Sequence, residues 1–279
     1  MKAYPAVVKW SGSKRPVAEQ LSKYFRGGQT YFEPFVGGGA MMPFSLCQNG
    51  VASDIIGELI DLWNEIKDHP ALVSDEYSTR WQRLQDEGVD VYYEIRDSFN
   101  RTRNCFDFLF LTRTCVNGLI RYNENGDFNN SFHLSRPGIN PERLRNILLK
   151  WSDRLQTFRF VQADYREVLA DARKGDFVFL DPPYGGTKGR YTKTPFDFDA
   201  FFAELERLNG IGVNWMLTFD GSSGVREYNF APPSELYRHK FHVNTGNSSF
   251  TKVMNSQTDS IRESVYLNYE PAHGIFDLI

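Results

Sequence analysis

Apolar residues along this chain recur in two rhythms, and the rhythm changes near residues 70 and 157. Over 30–68 and again over 158–219, short apolar runs alternate with stretches at helical spacing, as βαβ units around a parallel sheet do. Residues 30–36 and 51–53 read as strands, with a helix-like stretch at 41–48 between them. Leu59, Leu62, Trp63 and Ile66 then share one helical face. Residues 160–163, 177–180 and 213–219 read as further strands and 165–172 as a short helix. Phe198, Phe201, Phe202, Leu205 and Leu208 form another helical face. Between 70 and 157 strand signals are sparse: 78–86, 90–103 and 140–156 look helical, and 119–132 reads as a loop or hairpin. The expected architecture is an α/β domain made of residues 1–69 and 158–279, interrupted by a mostly helical insertion at 70–157.

Two turns carry the candidate chemistry. The first closes the run 177–180 with Asp181-Pro182-Pro183-Tyr184. Prolines lack the N–H that a sheet ladder needs, so the strand stops and leaves a carboxylate and an aromatic ring on a stiff turn. That end of a strand is where open α/β sheets bind ligands. The ring can stack on a flat substrate while Asp181 and nearby carbonyls accept hydrogen bonds from its amino group. The plainer alternative is a strand-ending turn with an exposed tyrosine. The second turn, Gly37-Gly38-Gly39-Ala40, follows the strand at 30–36. Glycines there allow positive φ and close approach of a ligand to the backbone. Asp54 ends the next strand, a place from which an acid reaches ribose hydroxyls. A dinucleotide fingerprint wants a third glycine where this chain has Met42, which argues against a nicotinamide cofactor.

Phe32-Glu33-Pro34-Phe35-Val36-Gly37-Gly38-Gly39 together with Asp181-Pro182-Pro183-Tyr184 resembles the S-adenosylmethionine-dependent DNA adenine N6-methyltransferases of the Dam-like, D12 class. Three more segments match in family order. Lys9-Trp10-Ser11-Gly12-Ser13-Lys14 resembles a cofactor motif. Asn117-Gly118-Leu119-Ile120-Arg121-Tyr122-Asn123 with Gly126-Asp127-Phe128-Asn129 resembles a DNA-reading segment. Glu263-Ser264-Val265-Tyr266-Leu267-Asn268-Tyr269 resembles a closing strand. Cofactor motif, insertion and catalytic turn follow in the order of the family's α group.

The resemblance implies a Rossmann-like methyltransferase fold whose insertion is the target-recognition domain. It implies S-adenosylmethionine held by Trp10, Lys14, Phe35, Gly37, Gly39, Asp54 and Asp164, beside Asp181. Trp10 and Lys14 would lie by the methionine carboxylate, Asp54 on the ribose, and Asp164 on the adenine amino group. A helix N-cap is the alternative for Asp164. The implied substrate is double-stranded DNA with an adenine flipped from the stack. Tyr184 would face that base, and Asp181 and the Pro182 carbonyl would hold N6. Arg121 is the expected guanine reader, through O6 and N7 in the major groove. Asn117, Leu119 and Asn123 would set register or wedge the duplex, and Arg113 would contact phosphate. Val116 stands where many relatives have an aromatic residue, and Asn129-Asn130-Ser131-Phe132 replaces an Asn-Val-Pro-Phe pattern. These departures put a GATC recognition sequence in doubt and leave Leu119 or another side chain as the wedge.

Composition modifies this picture little. The net charge of −3 speaks against nucleic acid until it is resolved locally. From Arg113 to Arg159 there are eight Lys/Arg against four acids, and Lys188, Arg190 and Lys193 follow the catalytic turn. Such groups make binding salt-sensitive when they neutralise phosphates. No run of 18 apolar residues exists and the start lacks a signal-peptide core. Cys47, Cys105 and Cys115 form no close pair. The expected setting is therefore a reducing cytoplasm, bacterial or of a phage-infected cell. The five histidines show no metal spacing, and methyl transfer of this kind requires no metal. Enzymes of this class work alone or beside a cognate restriction endonuclease, and the sequence leaves both open. An RNA amino-methyltransferase and a non-catalytic DNA-binding module are the remaining alternatives.

Overall fold

The computed structural model describes residues 2–135, 138–183, 196–223, 226–227, 231–247 and 260–272. Its centre is one sheet of β1 (Thr30–Glu33), β2 (Asn49–Asp54), β3 (Phe158–Gln162), β4 (Phe177–Leu180), β5 (Asn214–Ser223), β6 (Arg226–Glu227), β7 (His239–Asn247) and β8 (Ser260–Leu267). The strand order is β3-β2-β1-β4-β5-β8-β7, with the short β6 paired to β5. The first five strands are parallel, and β8 runs antiparallel to both its neighbours. From β1 the chain winds outward to β2 and β3, then returns to β4 and winds the other way. The reversal leaves a crevice at the carboxyl ends of β1 and β4, the switch point of a doubly wound sheet.

Period-two alternation sorts the strand residues into two cores. Tyr31, Ala52, Phe177, Phe179 and Met216 face one; Phe32, Val51, Val178, Leu180 and Leu217 face the other. Helices α7 (Tyr165–Leu169) and α8 (Phe198–Ile211) cover the second face. The first is covered by the N-terminal segment with α1 (Ala18–Leu21), by α2 (Gly57–Asp68), and by the helices of the insertion. Those are α3 (Pro70–Glu87), α4 (Asp90–Thr102), α5 (Cys105–Thr114) and α6 (Pro141–Leu155). Helix α3 is twice as long as its periodic stretch suggests, because Pro70 at its first turn suits a helix start. Helix α5 is buried on nearly all sides, from Phe108 to Leu111 entirely, so it shows no helical stripe in the sequence.

The insertion shares its core with the sheet. Trp151 of α6 packs on Trp63 at 5.1 Å between ring centroids and donates its indole N–H to the Pro5 carbonyl at 2.8 Å. Ser152 bonds the Lys67 carbonyl. Arg154 donates to the carbonyls of Pro43 and Ser45 at 3.1 and 2.9 Å. These bonds also correct the helix expected at 41–48: only a 3-10 turn, Met42–Phe44, forms there. Met41 to Ser45 are all buried, with no polar face for an amphipathic helix. The carbonyls a longer helix would have used go to Arg154. Strand β1 also ends early, at Glu33, because Pro34 has no N–H to give.

Candidate active site

Pro182 and Pro183 end β4, and the Asp181 side chain is left 20% exposed at the switch point. Lys14 reaches it from the N-terminal segment, Nζ to Oδ1 at 2.7 Å. Thr218 of β5 donates its hydroxyl to the same oxygen at 3.1 Å. Lys14 also lies 3.0 Å from Glu263 Oε1 on β8 and donates to the Gly12 carbonyl at 3.0 Å. Lys14 is 5% exposed and Glu263 6%. Burial disfavours the Lys14 ammonium, but the two carboxylates outweigh it and hold its pKa above the ordinary value. Burial pushes both Asp181 and Glu263 upward, and Lys14 opposes the shift in each. A third acid, Glu33, closes β1 at 3% exposure. Tyr31 donates to its Oε2 at 2.7 Å. Burial raises Glu33 to about 8, the Tyr31 hydrogen bond opposes the shift and the Asp181 charge adds to it, so the neutral form of Glu33 is favoured at pH 7.

The glycine turn lies beside this cluster. Gly37 and Gly39 have φ of +44° and +64°. A Cβ at Gly37 would sit 2.6 Å from Trp10 Nε1, so the indole packs directly on the turn. Asp54 receives the Gly37 N–H at 3.2 Å and the Ile56 N–H at 3.3 Å. Burial raises its carboxyl to about 6. Behind the glycines there is no helix N-terminus, since the chain makes only the turn at 42–44. The anion site that a pyrophosphate needs is therefore missing, and the nicotinamide reading falls with it. Phe35 is half-buried against Tyr165 and Phe196 at 5.5 and 5.9 Å between ring centroids. The aliphatic side chain of Ile55, at the turn after β2, is 45% exposed. Asp164 caps α7: its Oδ1 accepts from the Arg166 backbone N–H and Nε at 3.0 and 2.8 Å.

The segment 115–132 forms a hairpin, with backbone bridges between Cys115 and Phe132 and between Tyr122 and Phe128. Asn123 Oδ1 accepts the N–H groups of Asn125 and Asp127, an Asx turn. Asn100 brackets Phe128, accepting its N–H and donating to its carbonyl. Tyr122 donates to Glu58 of α2 at 2.7 Å. Asn117 takes a left-handed φ of 58° and is exposed; Leu119 is half-buried. Asn130 ties the turn by donating to the carbonyls of Val116 and Leu119, both at 2.9 Å. Gly118 packs on the Lys9 side chain, next to Trp10. Arg121 is exposed, with Nε bonded to Asn129 Oδ1 at 2.8 Å.

Several expectations need revision. Arg113 is 7% exposed and bonds the Ala6 carbonyl, so it faces inward and offers nothing to a phosphate. With Arg154 also turned inward, the basic excess of 113–159 overstates the charge at the surface. Lys14 spends its ammonium on Asp181 and Glu263, where the resemblance implies a methionine carboxylate. Tyr184, Lys188, Arg190, Lys193 and Arg136 lie outside the described residues. Glu33 and Glu263 join the site although the motifs that contain them gave neither a role. Glu33 and Glu263 nonetheless leave a signal in the sequence, as acids set in apolar strand runs.

The doubly wound strand order, the positive-φ glycine turn without a helix behind it, and the acid cluster at β4 define a Rossmann-like methyltransferase. The chain belongs to the D12 class of N6 adenine-specific DNA methyltransferases, whose family model matches residues 10–244. It is 30% identical to a DNA adenine methylase of Serratia marcescens, over 72% of this chain and 74% of that one. It is likewise 30% identical to a DNA adenine methylase of Escherichia coli strain K12, over 74% of each. A DNA N-6-adenine-methyltransferase of Escherichia phage P1 matches 80% of this chain at 30% identity, across 30% of its own length. A solved precorrin-6y C5,15-methyltransferase of Geobacter metallireducens superposes at a TM-score of 0.37 with 9% identity, over 95% of this chain and 99% of that one. That likeness is loose, and the fold assignment rests on the strand order. The protein is an enzyme that methylates N6 of adenine in DNA, and its family implies a methyl donor of the S-adenosylmethionine type.

Proposed function

We propose that the switch-point crevice binds S-adenosylmethionine along the ends of β1 and β2 and receives a flipped-out adenine at Asp181-Pro182-Pro183-Tyr184. The observation that carries this reading is Asp181, partly exposed at the end of β4 between Lys14 and Thr218. The positive-φ turn at Gly37 and Gly39, with Trp10 against it, suits the methionine part of the donor. Asp54 suits the ribose, and Phe35, Ile55 and the second oxygen of Asp164 suit the adenine. When bound, the donor supplies an electrophilic methyl carbon on a sulfonium.

The adenine amino group is a poor nucleophile, because its lone pair is delocalised into the ring. Asp181 and the Pro182 carbonyl accept its two N–H bonds, favour a pyramidal nitrogen and align it with the methyl carbon. The donor held by these residues would supply the methyl group to N6, its sulfur keeping the C–S bonding pair as a neutral thioether. N6 then becomes acidic and releases its proton to Asp181 or water. Burial favours the neutral form of Glu33, which adds no second charge to compete with Asp181.

Base flipping follows from the geometry of a duplex, in which N6 is out of reach of such a turn. The hairpin 115–132 is the part of the insertion that reads DNA, with Arg121 as guanine reader and Asn117, Leu119 and Asn123 around it. A cytoplasmic setting suits both the substrate and three unpaired thiols. The test is Asp181→Ala in a methyl-transfer assay with labelled donor and unmethylated genomic DNA. Loss of transfer by about a hundredfold or more, with donor affinity within a few-fold of wild type, is expected. A variant with wild-type turnover would overturn the role of the turn. Mapping of the labelled adenines supplies the recognition sequence, and label on RNA alone would favour the RNA reading.

A further inference from the structure

Lys14 is buried between two acids that reach it from different strands. Asp181 stands at the end of β4, 2.7 Å away, and Glu263 on β8, 3.0 Å away. Glu263 has the same strand parity as Val265 and Leu267, which belong to the core under the N-terminal segment. Its carboxylate thus faces Lys14 from below the site, and the Asp181 side chain is the more exposed of the two. A lone Lys14–Asp181 pair would fasten the carboxylate that must accept a hydrogen bond from substrate. A second acceptor relieves that hold. We propose that Glu263 is a positioning residue for methyl transfer: by sharing the Lys14 ammonium it limits the grip of Lys14 on Asp181 and leaves that carboxylate a strong acceptor for N6–H.

The inference rests on the reading of Asp181 given above. Among the described residues, the groups facing Asp181 and Lys14 include Glu263 on β8, Thr218 on β5, Glu33 with its partner Tyr31 on β1, and the Gly12 carbonyl. Burial favours the neutral form of Glu33, and the direct ion pairs join Lys14, Asp181 and Glu263. Buried charges this close interact strongly. Neutralising Glu263 removes a like charge from the neighbourhood of Asp181 and concentrates Lys14 on it. Both effects favour the ionised form of Asp181 and weaken it as an acceptor.

Single-turnover methyl transfer on an unmethylated duplex, measured against pH, tests this. Wild-type rate should rise on the acid side as Asp181 ionises. In Glu263→Gln that limb should move down by about one pH unit, tenfold in proton concentration, and the plateau rate should fall about tenfold or more. Donor affinity should change little. Glu263→Asp, with its carboxylate drawn back, should move the limb the same way by less, and it carries the test wherever E263Q is too unstable to assay. Thr218→Val removes a donor to the ionised form and should move the limb upward. A purely structural Glu263 would lower stability and rate without displacing the limb. An E263Q or E263D limb at the wild-type position, or above it, would overturn the proposal. Undiminished transfer by D181A would instead overturn the reading of the site, so the two failures are distinct.

Discussion

Arg121 and Arg113 are eight residues apart and end in opposite roles. Arg121 lies on the outer hairpin, exposed, with its Nε on the Asn129 side chain at 2.8 Å and its Nη2 3.4 Å from the Asn129 carbonyl. Those contacts hold the guanidinium in one orientation, which in the proposed guanine-reading role would lower the entropy lost on binding. Arg121→Ala should relax discrimination at one base pair by about 1–3 kcal/mol, with donor affinity unchanged. Competition among duplexes that vary one position at a time measures it, and identical rankings for both enzymes would remove Arg121 from the reading role. Arg113 carries the same charge but lies in the last turn of a buried helix. Burial lowers its pKa to about 10, and its partner is backbone.

The hairpin 115–132 is held as an element by side chains outside it. Asn100 fixes Phe128, Arg103 bonds the Gly126 carbonyl, and Tyr122 reaches Glu58 in the first turn of α2. Helix α2 begins at Gly57, directly after the turn in which Asp54 accepts the Ile56 N–H. The hairpin proposed to read DNA is therefore docked on the helix that follows the proposed ribose-binding acid. Tyr122→Phe keeps the ring and removes one hydrogen bond, worth about 0.5–1.5 kcal/mol or more for a carboxylate acceptor. Faster amide exchange over 122–128 and a several-fold rise in KM for DNA should follow, with donor Kd unchanged. Unaltered exchange in the hairpin would show that Asn100 and Arg103 suffice to dock it.

Across the whole molecule, burial of acids at the switch point costs stability. Burial pushes the Glu33 carboxyl from its ordinary 4.5 up to about 8. Between those values the folded chain binds more protons than the unfolded one, so stability falls as pH rises through this window. Glu33→Gln keeps the shape and the acceptor for Tyr31 without the ionisation. Its advantage over wild type should grow from pH 5 to 8 and vanish below about 4.5. Urea unfolding across that range measures the difference, and a constant difference would mean that Glu33 titrates normally in the fold.

Local chemistry made the parallel strands, the two turns and the order of motifs legible in the chain alone. Proline removes an N–H, glycine permits positive φ, and alternation selects a face. Asp54 and Asp181 were legible too, as acids at strand ends. Helix α5 and the turn at 42–44 were not. Continuous burial erases periodicity, and the carbonyls of Pro43 and Ser45 belong to Arg154, more than a hundred residues away. Folding alone assigned some charges to the interior and left others outside. Arg113 and Arg121 look alike in the chain, as do Glu33 and any solvated glutamate. Lys14, Asp181 and Glu263 lie far apart in sequence and meet because the N-terminal segment, β4 and β8 converge beside the crevice. Burial and pairing set the behaviour of an ionisable group, and both are properties of the folded neighbourhood.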